Sequence, residues 1–409
     1  MISYIIYTMS VSAHVVSSNI VYIHNPKMNV AITSLWFNAG SIFDGDKHGL
    51  AHFFEHFLLT KTKSVPKNRA AYLESRGIES FALTYKEFAY VYHVSSPEII
   101  RDSTSLLLDG VYNIILNEGS LKSERDIIKR EIKERGFEQK FWDTIYAHLY
   151  PDTPYSHCVL GNDKSLDSIT LKDLKVFWKE KYYDQAPVCL ILSPEPFSPV
   201  MSSFLQKNIS QQPQNKSNTQ VSVLKKDLFS LLKKDTETSD VRIAYSYRLP
   251  EQMTLKERCT VDFLRSIFAG SWNSLYTKEF RQKKSYTYWT YGAAFTTYRS
   301  KSLHFYFDVS RKNIKEVDRK VASVCKSFAS KPLSQRELNM YKVAYVTSQL
   351  LYAEDSKSLL FDTGSSLISG QDIILPQQQI EIVQKLSAQD VWLFWKKIYK
   401  KEGGIRTIL

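Results

Sequence analysis

The alternation of apolar and polar positions predicts strands and helices that follow one another in the same order in both halves of the chain. Segments rich in aromatic and β-branched residues predict strands at 30–38, 81–95, 188–192, 241–248, about 287–296 and 303–309. Helical periodicity predicts helices at 101–117, 126–141, 171–182, 255–268, 314–328 and 335–351. Residues 1–18 lack the basic start of a secretory signal, and we interpret them as an edge strand and its neighbour.

A repeated segment indicates that the two halves share one architecture. The sequences KDLKVFWKEKYY (172–183) and QDVWLFWKKIYK (389–400) look like the same helix used twice. A polar stretch without apolar period, 208–222, separates a first domain, 1–207, from a second, 223–409. The predicted fold class is therefore α+β, with two similar domains, each a mainly antiparallel sheet packed by helices on one side.

Composition narrows the choice of partners and compartment. The 409 residues carry a net charge of +12, but the lysines are scattered along helical patterns and no nucleic-acid-binding motif accompanies them. No apolar run approaches 18 residues, so we expect neither a membrane-spanning helix nor a membrane partner. The four cysteines are far apart in the sequence, which favours thiols in a reducing cytoplasm, although a disulfide between two of them stays open.

The segment His52-Phe53-Phe54-Glu55-His56 carries the most specific chemistry. In a helix, residues four apart face the same point, so His52 and His56 can bind one zinc ion, as in the inverted zinc signature. Glu55 can then hold a water molecule and take its proton as the water attacks a carbonyl. The alternative is an amphipathic helix with ordinary histidines. The apolar run that follows, Phe57 to Leu59, favours a buried helix whose polar face needs a partner.

A zinc site needs a further protein ligand, and a second helix offers two candidates. Glu124 and Glu131 are seven residues apart and therefore share one helical face. Either carboxylate can reach a metal. The alternative is a solvated helix in which these acids form salt bridges with the interleaved arginines and lysines.

With these motifs the chain resembles the pitrilysin or insulinase-like inverzincin peptidases, which include the mitochondrial processing peptidases and small bacterial relatives. In that family a glutamate some 75 positions after the second histidine completes the zinc site, which matches Glu131 here (131 − 56 = 75). The resemblance implies that His52, His56 and Glu131 bind zinc and that Glu55 is the general base. Glu124 matches a helpful carboxylate seven positions before the last ligand.

The resemblance extends to the segment SLWFNAG (34–40), to the strand after Gly77 and into the second half. Arg281 and Tyr288 match a pair that, in the family, comes from the far half to hold the substrate carbonyl and the developing oxyanion. Without the resemblance they would be an ordinary surface arginine and a tyrosine at the rim of the core. Two positions depart from the family: Phe81 stands where asparagine usually contacts the substrate backbone, and Ser285 replaces a glycine.

The resemblance implies a zinc-dependent endopeptidase that cleaves peptides or unfolded segments, which in some relatives means the maturation of a ribosomally made peptide. Since larger relatives close four such domains into a chamber, a dimer is expected, either a homodimer or a heterodimer with a related subunit. The alternative is a non-catalytic peptide-binding or assembly subunit, for which Phe81 is the residue most in favour. The sequence does not identify the natural substrate or the bond that is cleaved.

Overall fold

The computed structural model describes residues 11–209, 240–402 and 405–409. Ten strands are described: β1 (Ser12–Ser17), β2 (Ile20–His24), β3 (Ala31–Phe37), β4 (Glu79–Thr84), β5 (Ala89–Ser95), β6 (Val188–Ser193), β7 (Asp240–Arg248), β8 (Tyr291–Phe295), β9 (Ser302–Ser310) and β10 (Ile405–Ile408). The helices of the first half are α1 (Leu50–Leu58), α2 (Arg69–Glu74), α3 (Ile100–Tyr112), α4 (Glu118–Glu134), α5 (Phe137–Leu149), α6 (Asp163–Ser168), α7 (Leu171–Trp178) and α8 (Pro199–Ile209). Those of the second half are α9 (Leu255–Phe268), α10 (Ile314–Ser330), α11 (Gln335–Tyr352), α12 (Ser356–Ile368), α13 (Pro376–Lys385) and α14 (Ala388–Glu402). No described helix is long and apolar enough to cross a membrane.

The first sheet has the strand order β1-β2-β6-β3-β5-β4, and all its pairs are antiparallel except β2 with β6. Alternate residues of β3, such as Leu35 and Phe37, pack on one face against the apolar side of α1. Trp36 projects from the other face and contacts Phe361 of α12. Helices therefore cover both faces of this sheet, one more layer than the sequence predicts.

The second sheet has the order β10-β7-β9-β8 and is fully antiparallel. Strands β10, β7, β9 and β8 thus correspond in position to β6, β3, β5 and β4 of the first sheet. The α+β class with two antiparallel-dominated sheets is confirmed.

The repeated tryptophan-rich helix makes the same hydrogen bonds in both halves. Thr170 and Asp173 form a capping box at the start of α7. Ser387 and Asp390 exchange the corresponding hydrogen bonds at the start of α14. Further along, Trp178 donates to the carbonyl of Val111 in α3 (2.9 Å), and Trp395 donates to the carbonyl of Cys325 in α10 (3.3 Å). Each acceptor is the twelfth residue of its helix, so the sequence repeat is also a structural repeat.

The chain forms two compact units, and each contains a helix from the opposite half of the sequence. The first unit comprises 1–136, 157–221 and 356–373, and the second comprises 137–156, 222–355 and 374–409. Helix α12 therefore belongs to the first unit and α5 to the second. The consecutive domains 1–207 and 223–409 remain our prediction for the repeat. Of the predicted linker 208–222, Asn208 and Ile209 end α8, and the rest lies outside the described residues.

Most predicted elements are found within a few residues of their predicted bounds, and α9 agrees at both ends. The predicted strand 81–95 is wrong as one element, because it forms two paired strands, β4 and β5. The predicted helix 126–141 is wrong as one element, because α4 ends at Glu134 and α5 begins at Phe137. Arg135 has the extended ψ of 121°, and neither Arg135 nor Gly136 is part of a helix. At this break the chain passes from the first unit to the second.

Candidate metal centre

Helices α1 and α4 of the first unit bring three potential metal ligands together. His52 and His56 lie one turn apart on α1, with ring centroids 4.9 Å apart. Glu131 Oε2, from α4, lies 3.7 Å from His52 Nε2 and 3.6 Å from His56 Nε2. One ligand atom from each residue can be chosen so that all lie within 4.8 Å of one another. The structure thus joins the predicted motif to the predicted third ligand across 75 residues of sequence.

The donor set fits a zinc ion. Ligand atoms about 2.0–2.2 Å from a tetrahedral zinc lie roughly 3.3–3.6 Å from each other, close to the distances from Glu131 to the two imidazoles. Burial lowers the pKa of His52, which favours the neutral imidazole that a metal requires. Its Nδ1 atom is buried and has no hydrogen-bond partner within the described part of the chain.

Negative charge surrounds His56 and favours a cation in this place. Burial lowers the pKa of His56, but the hydrogen bond to Glu124, the Glu131 carboxylate 3.6 Å away and the charge of Glu55 outweigh it and raise the pKa to about 9. The close approach of His56 in turn lowers the pKa of Glu131. A proton or a metal ion between these carboxylates is therefore stabilised.

Glu124 occupies the position of an orienting carboxylate. Its Oε2 atom accepts a hydrogen bond from His56 Nδ1 at 3.0 Å, which leaves Nε2 of the same ring directed at Glu131. A carboxylate on the far nitrogen fixes the tautomer and the orientation of a ligating imidazole. The sequence predicts a role for Glu124 only through the resemblance, and that role stays a prediction beside the observed contact with His56.

Glu55 is half-buried on α1, beside the two histidines, and makes no side-chain hydrogen bond among the described residues. Three phenols lie within reach of its charge: Tyr85, Tyr90 and Tyr182. Burial raises the pKa of each phenol, and the nearby negative charge adds to the effect. The Glu55 carboxylate is therefore available to an incoming polar group.

A buried carboxylate caps the helix that carries the histidines, and sequence reasoning missed most of this arrangement. Asp44 accepts hydrogen bonds from the backbone N–H groups of Gly49 (2.7 Å) and Ala51 (2.8 Å) at the start of α1. His157 Nε2 lies 3.2 Å from the Asp44 carboxylate and donates to the carbonyl of Ser41 (2.9 Å). Burial raises the pKa of Asp44, whereas the hydrogen bond from His157 lowers it. Nothing in the local sequence links His157 to a residue 113 positions earlier.

Phe81, which stands where the family has asparagine, lies on β4, which is the edge strand of the first sheet among the described residues. Its ring stacks on Tyr92, with centroids 4.9 Å apart, and the Lys357 ammonium lies 5.2 Å from its centroid. This position therefore offers an aromatic face rather than an amide.

Arg281 and Tyr288 belong to the second unit, where they contact each other. The Arg281 guanidinium lies 4.6 Å from the Tyr288 ring centroid. Between them, Ser285 has the positive φ of 52°, a conformation that glycine adopts more easily than serine.

Two models of one peptidase family match the chain. A family model described as insulinase (peptidase family M16) matches residues 19–163, which include both histidines, Glu55 and Glu131. A second, described as the peptidase M16 inactive domain, matches residues 168–345. Together they account for most of the chain.

Individual relatives and solved structures extend the comparison. The chain is 22% identical over 389 residues to the mitochondrial-processing peptidase subunit beta of Saccharomyces cerevisiae, a match covering 90% of this chain and 84% of that protein. It is 28% identical to the corresponding rat subunit, over 37% of this chain and 32% of that protein. A protease from Helicobacter pylori has the same fold, with a TM-score of 0.82 at 17% identity over 98% of this chain and all of that one.

Proposed function

Because the chain belongs to the insulinase family of peptidases, family M16, we propose that it is a zinc-dependent endopeptidase that cleaves peptides or unfolded segments. The observation that carries the proposal is the convergence of His52, His56 and Glu131, with Glu55 on the same helix as the histidines. Four residues suited to one hydrolytic reaction lie on two adjoining helices, as that reaction requires.

In this proposal His52, His56 and Glu131 hold the zinc ion, and Glu124 orients His56. When bound, zinc acts as a Lewis acid and lowers the pKa of water toward neutrality. Glu55 accepts the proton of the attacking water, a role for which its half-buried carboxylate, without a competing hydrogen bond among the described residues, is suited. After attack, the same carboxylate can return the proton to the leaving amine.

Arg281 and Tyr288 are proposed to donate hydrogen bonds to the substrate carbonyl and to the negative charge that develops on its oxygen. The peptide itself is proposed to add as a strand to the free edge of β4, the last strand of the first sheet. Main-chain pairing of this kind binds extended segments with loose sequence preference.

We further propose that the protein works as a dimer, in keeping with the relatives that are named as subunits. A self-sufficient homodimer is favoured, because one chain carries both the zinc residues and the Arg281–Tyr288 pair. A heterodimer with a related subunit is the second form. A reducing, cytoplasmic location is proposed on the ground that none of the four cysteines forms a disulfide.

The decisive experiment measures zinc content and cleavage of a quenched peptide library on the same purified samples. We expect about one zinc per chain in the wild type, full zinc content without cleavage in Glu55→Gln, and loss of both in His52→Ala. Glu134→Gln, an exposed carboxylate on α4, is the matched control and should behave as the wild type. A wild type that binds no zinc, or a Glu55→Gln variant that still cleaves, would contradict the proposal.

The second candidate function is a non-catalytic peptide-binding or assembly subunit, and Phe81 is the observation that favours it. An aromatic ring stacked on Tyr92 cannot donate the hydrogen bonds that an asparagine amide gives to a peptide backbone. Peptide binding with zinc bound, but with no cleavage by the wild type alone or with a related subunit, would favour this function.

A further inference from the structure

The second unit holds Arg281 in a cluster of aromatic rings, which we call the arginine sandwich: Trp272, Arg281, Tyr288 and Trp289. The guanidinium carbon lies 4.1 Å from the Trp272 ring centroid and 4.6 Å from that of Tyr288. Trp289 lies 5.6 Å from the guanidinium and meets Trp272 edge-on, with centroids 5.9 Å apart at 86°. Three π faces or edges therefore surround one cation.

The cluster lies at the surface, and among the described residues no acidic side chain forms an ion pair with Arg281. Trp272 is 56% exposed and Tyr288 is 82% exposed, unusual values for such large rings. The Arg281 guanidinium makes no ion pair or side-chain hydrogen bond among the described residues. By contrast, Arg242 and Arg406 of the same unit are held by Asp308 and Asp318.

Stacking has a directional consequence. A ring attracts the flat face of a guanidinium, whereas the N–H donors point outward in the guanidinium plane. The guanidinium carbon of Arg281 lies over the Trp272 and Tyr288 rings, and face-on stacking there leaves the donor edge open to a planar acceptor such as a peptide carbonyl. A carboxylate partner would instead occupy that edge.

We propose that Trp272 is a positioning residue that holds the donor edge of Arg281 ready for the substrate carbonyl, with Trp289 supporting Trp272 edge-on. This inference rests on the proposed function, in which Arg281 contacts the substrate. The main chain of Trp272 is itself anchored, because its carbonyl accepts a hydrogen bond from Gln282 Nε2 at 2.7 Å. Residues 277–282 form a short helical turn that contains Arg281 and Gln282. The hydrogen bond from Gln282 and the cation–π contact of Arg281 both link this turn to the loop that carries Trp272.

The test is a double-mutant cycle with Trp272→Leu and Arg281→Ala. In the wild-type background Trp272→Leu should lower kcat/KM about 3- to 10-fold, mainly through kcat, as expected for one exposed cation–π contact acting on a transition-state donor. In the Arg281→Ala background the same change should have almost no effect. Trp272→Phe, which keeps a π face, should restore much of the loss.

A matched control exists in the same unit. The Lys396 ammonium lies 4.1 Å from the Trp392 ring centroid, so Trp392→Leu also removes a half-exposed tryptophan from a cation. It should leave kcat/KM unchanged. Equal losses from Trp272→Leu in both Arg281 backgrounds would show that Trp272 acts by itself, and would overturn the proposal.

Two further readouts separate this proposal from the proposed function. The Arg281 Nε–H resonance should show a ring-current shift that disappears in Trp272→Leu, and a resonance without that shift would refute the stack whatever the activity. If the wild type cleaves no peptide, the proposed function fails. The same double-mutant cycle is then carried out with the Kd of a labelled peptide as the measured quantity. Non-additive Kd changes would then support the positioning role, and additive changes would overturn it.

Discussion

Asp44 shows how a single side chain just before the metal helix stabilises the start of that helix. Its two oxygens accept the backbone hydrogens of Gly49 and Ala51, and no side chain within α1 caps that end. The same carboxylate is fully buried and contacts His157. Replacing it therefore disturbs several hydrogen bonds where water cannot substitute.

We expect Asp44→Asn to lower the free energy of unfolding by about 1–3 kcal/mol, because the amide presents a donor to groups that are themselves donors. Urea unfolding of the wild type and the variant measures this difference. Asp46→Asn, an exposed acid in the same turn, should change the value by less than about 0.5 kcal/mol. Equal effects of the two substitutions would show that the cap contributes nothing specific.

At the scale of single residues, the sequence predicts the potential metal ligands better than the residues that support and position the functional side chains. The five-residue motif predicts the two histidines, because metal chemistry restricts residue type and spacing strongly, whereas Glu131 was predicted as the third ligand only through the family resemblance. His157, Trp272 and Trp289 could not be predicted as supporting residues. Their partners are chosen by the tertiary fold, and a lone histidine or tryptophan carries no local signature of it.

Among the elements, α12 is held by an unusually close contact. A Cβ atom built on Gly364 would lie 2.1 Å from two ring carbons of Trp36. The indole cannot move aside easily, because it is fully buried, stacks on Tyr90 at 4.0 Å and donates to Ser34 Oγ. The glycine is therefore needed for the helix to approach the sheet.

Gly364→Ala is expected to destabilise the protein by about 1–3 kcal/mol or more through overpacking. Thermal unfolding followed by circular dichroism is a sufficient measurement. Gly136→Ala provides the control, since a Cβ atom there meets nothing within 4 Å. An unchanged midpoint for Gly364→Ala would mean that α12 does not pack against Trp36 as described.

Sequence periodicity identifies elements but not where they pack. Helix α9 agrees with its predicted bounds, because a capping box at Thr254 and an amphipathic pattern determine it locally. Neither α12 nor the break between α4 and α5 was predicted. The placement of α12 depends on Trp36, more than 300 residues earlier, and no local pattern contains that information.

On the scale of the whole molecule, each unit buries a histidine that has to stay neutral. Burial lowers the pKa of His93, in the first unit, and of His304, in the second, to about 3 in each case. His304 is satisfied by hydrogen bonds with Ser246 and Ser302. Because the pKa is lower in the folded state than in the unfolded chain, unfolding takes up a proton below about pH 6.5.

Stability should therefore be fully present above pH 6.5 and be lost as the pH falls toward 3. Each histidine contributes up to about 1.4 kcal/mol per pH unit within that window. Urea unfolding at pH 7 and pH 5 should show a smaller loss for His304→Gln than for the wild type. His14→Gln, on the edge strand β1 and partly open to solvent, should keep the wild-type dependence. Identical pH dependence in all three proteins would contradict the assignment.

Because α12 belongs to the first unit although it lies late in the sequence, its position has a consequence for folding during protein synthesis. Helix α12 completes the first unit, but it follows the whole strand set of the second unit except β10 in order of synthesis. A nascent chain emerging from the ribosome therefore carries Trp36 and its aromatic neighbours unshielded until residue 368 has been translated. During that interval the aromatic surface is open to chaperones and to mispairing, so rare codons or pauses before α12 should raise the fraction of newly made protein that aggregates.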